Sequence, residues 1–278
     1  MISFWHRCLI FSVVLLSVIL IPARATLSAE QSSSNLFLQG VQATQAGHYS
    51  EALSIFTQVI QTAPTAAAYA NRCLVKVELS QYQAAISDCS QAIQEQPNQT
   101  EAWLNRGIAH YRLGEYPDAI QDATALIQKQ PHDLRAYFNR GLAKAALAQP
   151  QQAIADYNQA LAKATQTEPA TLAEIYIDRG LAYVATTELG SAIADFDTAT
   201  HLDALNDRAY FNRGCIEGQQ GNYTAAIEDF TQALALNPSN ADAFFDRGMA
   251  YYQLSQKQQA LRRLSSKSIP GSLGRVIN

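Results

Sequence analysis

The sequence predicts an all-α fold, a stack of about seven helical hairpins occupying most of the 278 residues. Three observations carry this prediction. The string Ala102-Trp103-Leu104-Asn105-Arg106-Gly107 returns as Ala136-Tyr137-Phe138-Asn139-Arg140-Gly141 and as Ala209-Tyr210-Phe211-Asn212-Arg213-Gly214. Its closing position recurs at Gly40, Cys73, Gly107, Gly141, Gly180, Gly214 and Gly248, at spacings of 33, 34, 34, 39, 34 and 34 residues. Twelve residues after each of these stands an alanine: Ala52, Ala85, Ala119, Ala153, Ala192, Ala226 and Ala260. A period of this length marks a repeat architecture, in which each unit buries its apolar face against the next.

The chain begins with a different kind of sequence. His6 and Arg7 precede an apolar run from Cys8 to Ile21, and Ala23-Arg24-Ala25 supplies the small-x-small pattern of a signal peptidase site. This predicts a signal peptide over residues 1–25, cleaved after Ala25, and a flexible leader over 26–32. The run of 14 residues falls short of the roughly 20 needed to cross the hydrocarbon layer. The mature chain is therefore expected to be exported, periplasmic or secreted. An uncleaved leader anchoring it to the membrane is the alternative, and only then is the membrane a partner.

Each unit then reads as two antiparallel helices. The first carries an apolar or aromatic residue, the landmark Gly four later and often an aromatic three beyond, as in Tyr176, Gly180 and Tyr183. That spacing makes one buried helix face. The second helix carries the recurrent Ala with apolar residues four and seven later, as in Ala226, Phe230 and Ala233. Gly in one helix is expected opposite Ala in the other, so that the axes approach closely despite the cost of about 1 kcal/mol that Gly imposes inside a helix. Gly47, Gly114 and Gly221 mark turns between the two helices, and Pro64, Pro97, Pro131 and Pro238 end the second helix. The 39-residue spacing is expected to lengthen a turn between hairpins around Ala164 to Leu172.

This pattern of aromatic, Gly, Tyr, Ala, aromatic, Ala and Pro resembles the tetratricopeptide repeat. The resemblance implies a right-handed α-solenoid over 33–265, with units 33–65, 66–99, 100–133, 134–172, 173–206, 207–240 and a degenerate 241–265. In the last unit, Arg263 and Lys267 occupy places that earlier units give to Asp and Ala, and Ile269-Pro270-Gly271 interrupts the helix. The second helix is expected to stop near Ser265, leaving 266–278 as an irregular basic tail.

Aligning the repeats with one another exposes a charge pair. Five units carry an Arg before the landmark and an Asp sixteen residues later: Arg72 with Asp88, Arg106 with Asp122, Arg140 with Asp156, Arg179 with Asp195, and Arg213 with Asp229. The first unit has neither, carrying Gln39 and Ile55. A ladder of partly buried ion pairs follows, within each unit or displaced by one so that Asp229 meets Arg247. Its role is structural, fixing register more than adding stability.

Function must come from surfaces the repeat leaves free. By resemblance the first helices line a concave groove, and they carry a second apolar stripe: Leu104, Ile108 and Tyr111; Phe138 and Leu142; Ile177, Leu181 and Val184; Phe211; and Phe245, Met249 and Tyr252. These side chains either pack against the neighbouring first helix or grip an apolar segment of a partner, Phe138 and Phe211 foremost. Asn105, Asn139 and Asn212 stand beside them to hold a peptide backbone, and Arg135 and Arg208 to meet acidic groups. The family's clamp for an acidic C-terminus wants Lys and Asn where this chain has Phe138 and Leu142, so an apolar or mixed ligand is expected instead.

The partner is expected to be an unidentified protein or peptide. Net charge is −4, and all 24 acidic residues lie between Thr26 and Asp246, leaving a basic end with six cations from Arg247 onward. Such a chain does not read as a nucleic-acid binder. No cofactor is expected. His6, His48, His110, His132 and His201 lack a second ligand at metal spacing, and His110 takes a place that other units give to Tyr, which predicts a packed core role. Without a phosphate loop or nucleophile motif, a non-enzymatic scaffold is the expected function. The alternatives are a membrane-tethered assembly or biogenesis factor outside the cytoplasm and a self-associating structural spacer; the oligomeric state is left open. Cys73 and Cys89 are expected to act as small buried hydrophobes, with a disulfide between them as the alternative, and Cys215 has no evident partner.

Overall fold

The computed structural model describes residues 32–267. The expected signal peptide and its cleavage site, residues 26–31 of the leader and residues 268–278 of the tail lie outside the described residues. Thirteen helices and no strand occur among the described residues: α1 (32–45), α2 (Tyr49–Thr62), α3 (Ala66–Glu78), α4 (Tyr82–Glu95), α5 (Thr100–Arg112), α6 (Tyr116–Lys129), α7 (Leu134–Ala146), α8 (Pro150–Ala162), α9 (Pro169–Ala185), α10 (Leu189–Leu202), α11 (Asp207–Gln219), α12 (Tyr223–Leu236) and α13 (Ala241–Lys267). The fold class is the all-α helical repeat solenoid. The chain divides within α7, between Asn139 and Arg140, into two compact units. In the first, α3 packs on α4, α4 on α5, and α5 also lies against α3; in the second, α11 lies against both α9 and α13, while α10 packs on α9 and α11, and α12 on α11 and α13. Among the described helices none is long and apolar enough to cross a membrane.

The recurrent alanines form the tightest column of the core. Ala52, Ala85, Ala153, Ala192 and Ala226 have no solvent exposure. The expected pairing of Gly with Ala is corrected by the contacts. A Cβ built on Gly141 would stand 2.6 Å from the Tyr157 ring, one on Gly180 2.7 Å from Phe196, and one on Gly40 2.8 Å from Phe56. It is the aromatic sixteen residues on that needs the missing side chain, since ring carbons cannot yield several tenths of an ångström in a packed interior.

That column explains the cysteines, and it overturns the expectation of two buried thiols. Cys73 holds the landmark position and Cys89 the aromatic one, so their backbones inherit the close approach of the Gly–ring pairs. The two form a disulfide with Cα atoms 5.4 Å apart, within the span a bridge requires. Cys89 has no solvent exposure, and it fills with sulfur the place of the ring.

Six turns share one backbone solution. Gly47, Gly114 and Gly221 adopt φ between 76° and 82°, and Ser80, Ala148 and Thr187 take the same left-handed conformation at φ 55° to 64°. Only the glycines do so without crowding at Cβ. The 39-residue unit differs from expectation in where its extra residues go. They extend the loop 163–168 and also lengthen α9 to 17 residues, beginning at Pro169, against 13 in α3, α5 and α11. Proline at a helix start gives up no hydrogen bond there.

The seventh unit is corrected most. A hairpin ending near Ser265 was expected, but α13 is one continuous helix of 27 residues. The segment Leu254-Ser255-Gln256-Lys257 stays helical, whereas the nearly identical Leu79-Ser80-Gln81-Tyr82 turns. The local sequence is therefore not what decides. A hairpin here would bring Arg263 to the place where earlier units put the Asp that faces their arginine, and Arg247 is that arginine.

Candidate protein-interaction surface

The polar residues of the repeats are engaged with one another. Arg72 donates through Nε and Nη2 to both oxygens of Asp88 at 2.7 and 2.8 Å. The same fork joins Arg106 to Asp122, Arg140 to Asp156, Arg179 to Asp195 and Arg213 to Asp229, at 2.6–2.9 Å throughout. The pairing is thus within each unit. All five carboxylates are buried, at 2–6% exposure. Hydrogen bonding to these carboxylates, foremost among its causes, raises the guanidinium pKa of Arg72, Arg179 and Arg213.

The remaining guanidinium nitrogen carries information that alignment in pairs missed. Nη1 of Arg72 reaches Thr57 at 3.4 Å, that of Arg106 reaches Ser90 at 3.0 Å, that of Arg179 reaches Asn158 at 2.6 Å and that of Arg213 reaches Asp197 at 2.5 Å. Each acceptor sits on the second helix of the preceding unit, two residues beyond that unit's Asp position. Thr57, Ser90, Thr124, Asn158, Asp197 and Thr231 fill this column, and its unbroken small polar character was the available signal. Arg72, Arg106, Arg179 and Arg213 each tie three helices together in this way. Lys76 and Lys144 add a second cation, each 2.7 Å from its unit's Asp. His110 takes the corresponding place in the third unit, with Nδ1 2.6 Å from Glu115 and Nε2 3.8 Å from Asp122. This corrects the packed-core reading of His110: it bridges carboxylates. His110, Glu115 and Asp118 are the one group among the described residues with ligand atoms close enough for a metal, within 4.8 Å.

The expected groove residues divide. Leu104 and Asn105 are buried at 6% and 5%, and Ile177 is fully buried, so these three serve the interior and are withdrawn from the accessible stripe. Ile108 packs with Leu104 and Leu126, and Tyr111 lies against Tyr116 with centroids 5.6 Å apart. Phe138, Asn139 and Leu142 are half-buried. Phe211 joins Phe230 at 5.9 Å between centroids, packing between helices, and the Asn212 amide donates to the Arg208 carbonyl of its own helix. Arg135 is held by Asp133 and Glu101, and Arg208 by Glu174 and Asp178. The Asp178 carboxyl is pushed up by burial against the pull of Arg208. Both arginines thus have partners inside the chain.

Exposed apolar surface collects on α13. Phe244, Phe245, Met249, Tyr251 and Tyr252 are 43–68% exposed, with Leu181 on α9 at 38%. A hollow of about 230 Å³ is lined by Cys215, Gly218, Phe230, Met249 and Ala250 among others. Cys215 is screened: its thiol is pushed up to about 12 by burial and by Asp246, whose carboxylate lies 3.8 Å away. In the first unit, about 540 Å³ of open hollow is lined by Phe37, Leu38, Val59 and Ala63 among others.

Comparison with known proteins agrees with this architecture. A family model described as tetratricopeptide repeat matches residues 73–133 and 104–169, and another described as TPR repeat matches 216–255. Sperm-associated antigen 1 of Rattus norvegicus is 33% identical over 64 residues, 23% of this chain. The same match spans only 7% of that protein's length. Among solved structures, the Cut9-Hcn1 hetero-tetramer of APC/C aligns with TM-score 0.69 and 18% identity, over 78% of this chain and 42% of that one. PilF of Pseudomonas aeruginosa aligns with TM-score 0.66 and 16% identity over 84% and 99%. YrrB, described as a TPR protein with an unusual peptide-binding site, aligns with TM-score 0.55 and 18% identity over 69% and 97%. At these identities the likeness to solved structures shows the fold.

Proposed function

We propose that this chain, which matches tetratricopeptide-repeat family models over 73–169 and 216–255, is a non-enzymatic scaffold holding a protein or peptide against apolar side chains of its first helices. The observation that carries this reading is the exposed cluster on α13 together with Leu181. Large apolar side chains grouped on a surface favour macromolecular contact, while the recurrent Arg–Asp pairs of the repeats are engaged with one another. Of the expected groove residues, Phe245 is the most exposed and Leu181 on α9 is exposed as well, while Phe138, Asn139 and Leu142 are half-buried. An apolar or mixed segment fits such a surface better than an acidic tail, because Arg135 and Arg208 already hold carboxylates.

Export outside the cytoplasm, after cleavage at Ala25, is part of the same proposal. The Cys73–Cys89 bridge supports it, since disulfides persist in oxidising compartments and are rare in the cytosol. N-terminal sequencing of the mature protein tests this directly: a chain beginning at Thr26 is expected, and an intact Met1 on a membrane-bound chain favours the tethered alternative. The scaffold reading is tested by placing a photo-cross-linking residue at position 245 in the native cell. Adducts with another protein should exceed those from the exposed control position Gln151 on a second helix. Equal yields from the two positions would remove the case for a dedicated surface.

A further inference from the structure

We propose that the uncovered face of α13 is a docking site for a helix of another protein, one carrying Ala-x-x-Asp followed by Phe or Tyr. This deepens the scaffold reading and rests on it. The argument uses the chain's own earlier units, which show what the same face looks like when covered. The landmark glycines Gly107, Gly141, Gly180 and Gly214 are buried and Gly248 is exposed. A Cβ at Gly214 would meet the Phe230 ring at 3.0 Å and Asp229 at 3.1 Å, whereas one at Gly248 would meet nothing within 4 Å. The aromatic four residues before the landmark is buried or half-buried at Tyr137, Tyr176 and Tyr210, and Phe244 is 51% exposed.

Charge says the same. Five arginines of this column are forked onto a carboxylate. Arg247 stands in the same column and has only the Thr231 hydroxyl at 3.4 Å and the Phe244 ring at 5.4 Å among the described residues. It keeps its link to the preceding unit and lacks the acid of its own. The missing element is defined by what covers the others: an Asp to take the guanidinium fork and a ring to enter the notch at glycine. In α8, α10 and α12 these are Asp156-Tyr157, Asp195-Phe196 and Asp229-Phe230, each three residues after the buried alanine.

Two nearer sources are disfavoured by the sequence itself. The chain's own continuation offers Ala260 followed by Arg263 and Leu264, which would set one guanidinium against another. A second copy has no spare helix of this pattern among the described residues, because all three Asp–aromatic pairs already face their own Arg and Gly. The occupant assigned here is a helix from a different polypeptide, with a carboxylate and an aromatic ring side by side.

The test uses the full chain and a synthetic peptide of residues 222–240, which contains the α12 pattern. Binding by fluorescence anisotropy is expected, and replacing the peptide's Asp (Asp229→Asn) should weaken it roughly tenfold, the scale of a hydrogen-bonded charge pair. Arg247→Gln in the chain should cause the same loss, and the two changes together no more than either alone. Gly248→Leu should abolish binding while leaving the fold intact, since space is open there. Absence of binding, or binding indifferent to Gly248→Leu and Arg247→Gln, overturns the proposal. So does a concentration-dependent dimer that Gly248→Leu dissolves, which would make the occupant a second copy. A native partner that still cross-links at position 245 in the Gly248→Leu chain would leave the scaffold reading standing and remove this one.

Discussion

Gly180 shows how much a single absent methyl decides. Its place inside α9 opposes helix propensity, yet a Cβ there would lie 2.7 Å from Phe196, so ring packing overrides propensity. Gly180→Ala should cost about 1–3 kcal/mol, as overpacking does. Gly190→Ala, with nothing within 4 Å, should instead be neutral or gain up to about 1 kcal/mol. Urea denaturation of both variants checks the sign of each. The cysteines make a second claim at this scale. Thiol titration of the mature chain under denaturing, non-reducing conditions should count one thiol, Cys215, and under native conditions near pH 8 that thiol should react slowly, because its pKa is pushed up to about 12. Three thiols would contradict the bridge. Reduction should lower stability by about 3 kcal/mol, the scale for a loop of this length. The bridge was legible in principle: the sixteen residues separating Cys73 from Cys89 are the spacing of each Gly–aromatic contact. Spacing alone does not show the contact, because it forms only once the helices are packed.

Helices and hairpins follow from the period, and so did their existence and order. What periodicity did not reveal was how one arginine serves two neighbours, since pairs are found by looking for correlated charges and the third partner is usually uncharged. The network implies an asymmetry. Asp195→Asn leaves the Arg179 guanidinium partly buried without its acid, and should cost about 3–5 kcal/mol. Replacing both, with Arg179→Met and Asp195→Leu, should recover much of the loss. A double-mutant cycle by thermal denaturation measures this; additive losses would mean that the two charges do not interact. The fate of the last unit was the least legible of all. Leu254-Ser255-Gln256-Lys257 and Leu79-Ser80-Gln81-Tyr82 differ at one residue, and only the second makes a turn. Hairpin closure is decided by the face the following helix presents, a tertiary effect that local sequence does not carry.

At the scale of the molecule, the chain combines interior alanines, glycines and rings with a lattice of buried Arg–Asp pairs, and carries an exposed apolar face on α13. Composition and repeat period were enough to expect a helical-repeat binding scaffold. They could not rank the first-helix side chains, because Leu104, Ile177 and Phe245 occupy one column and differ only in what lies beyond them. Two have a following helix and are buried, and Phe245 is 68% exposed. The central claim is that this chain binds its partner through exposed apolar residues of first helices. Hydrogen–deuterium exchange of the full chain, with and without the protein trapped from position 245, tests it most directly. Added protection is predicted in α13, with a smaller effect around Leu181 in α9; protection confined to the second helices α4, α10 and α12, with α13 unchanged, would contradict it.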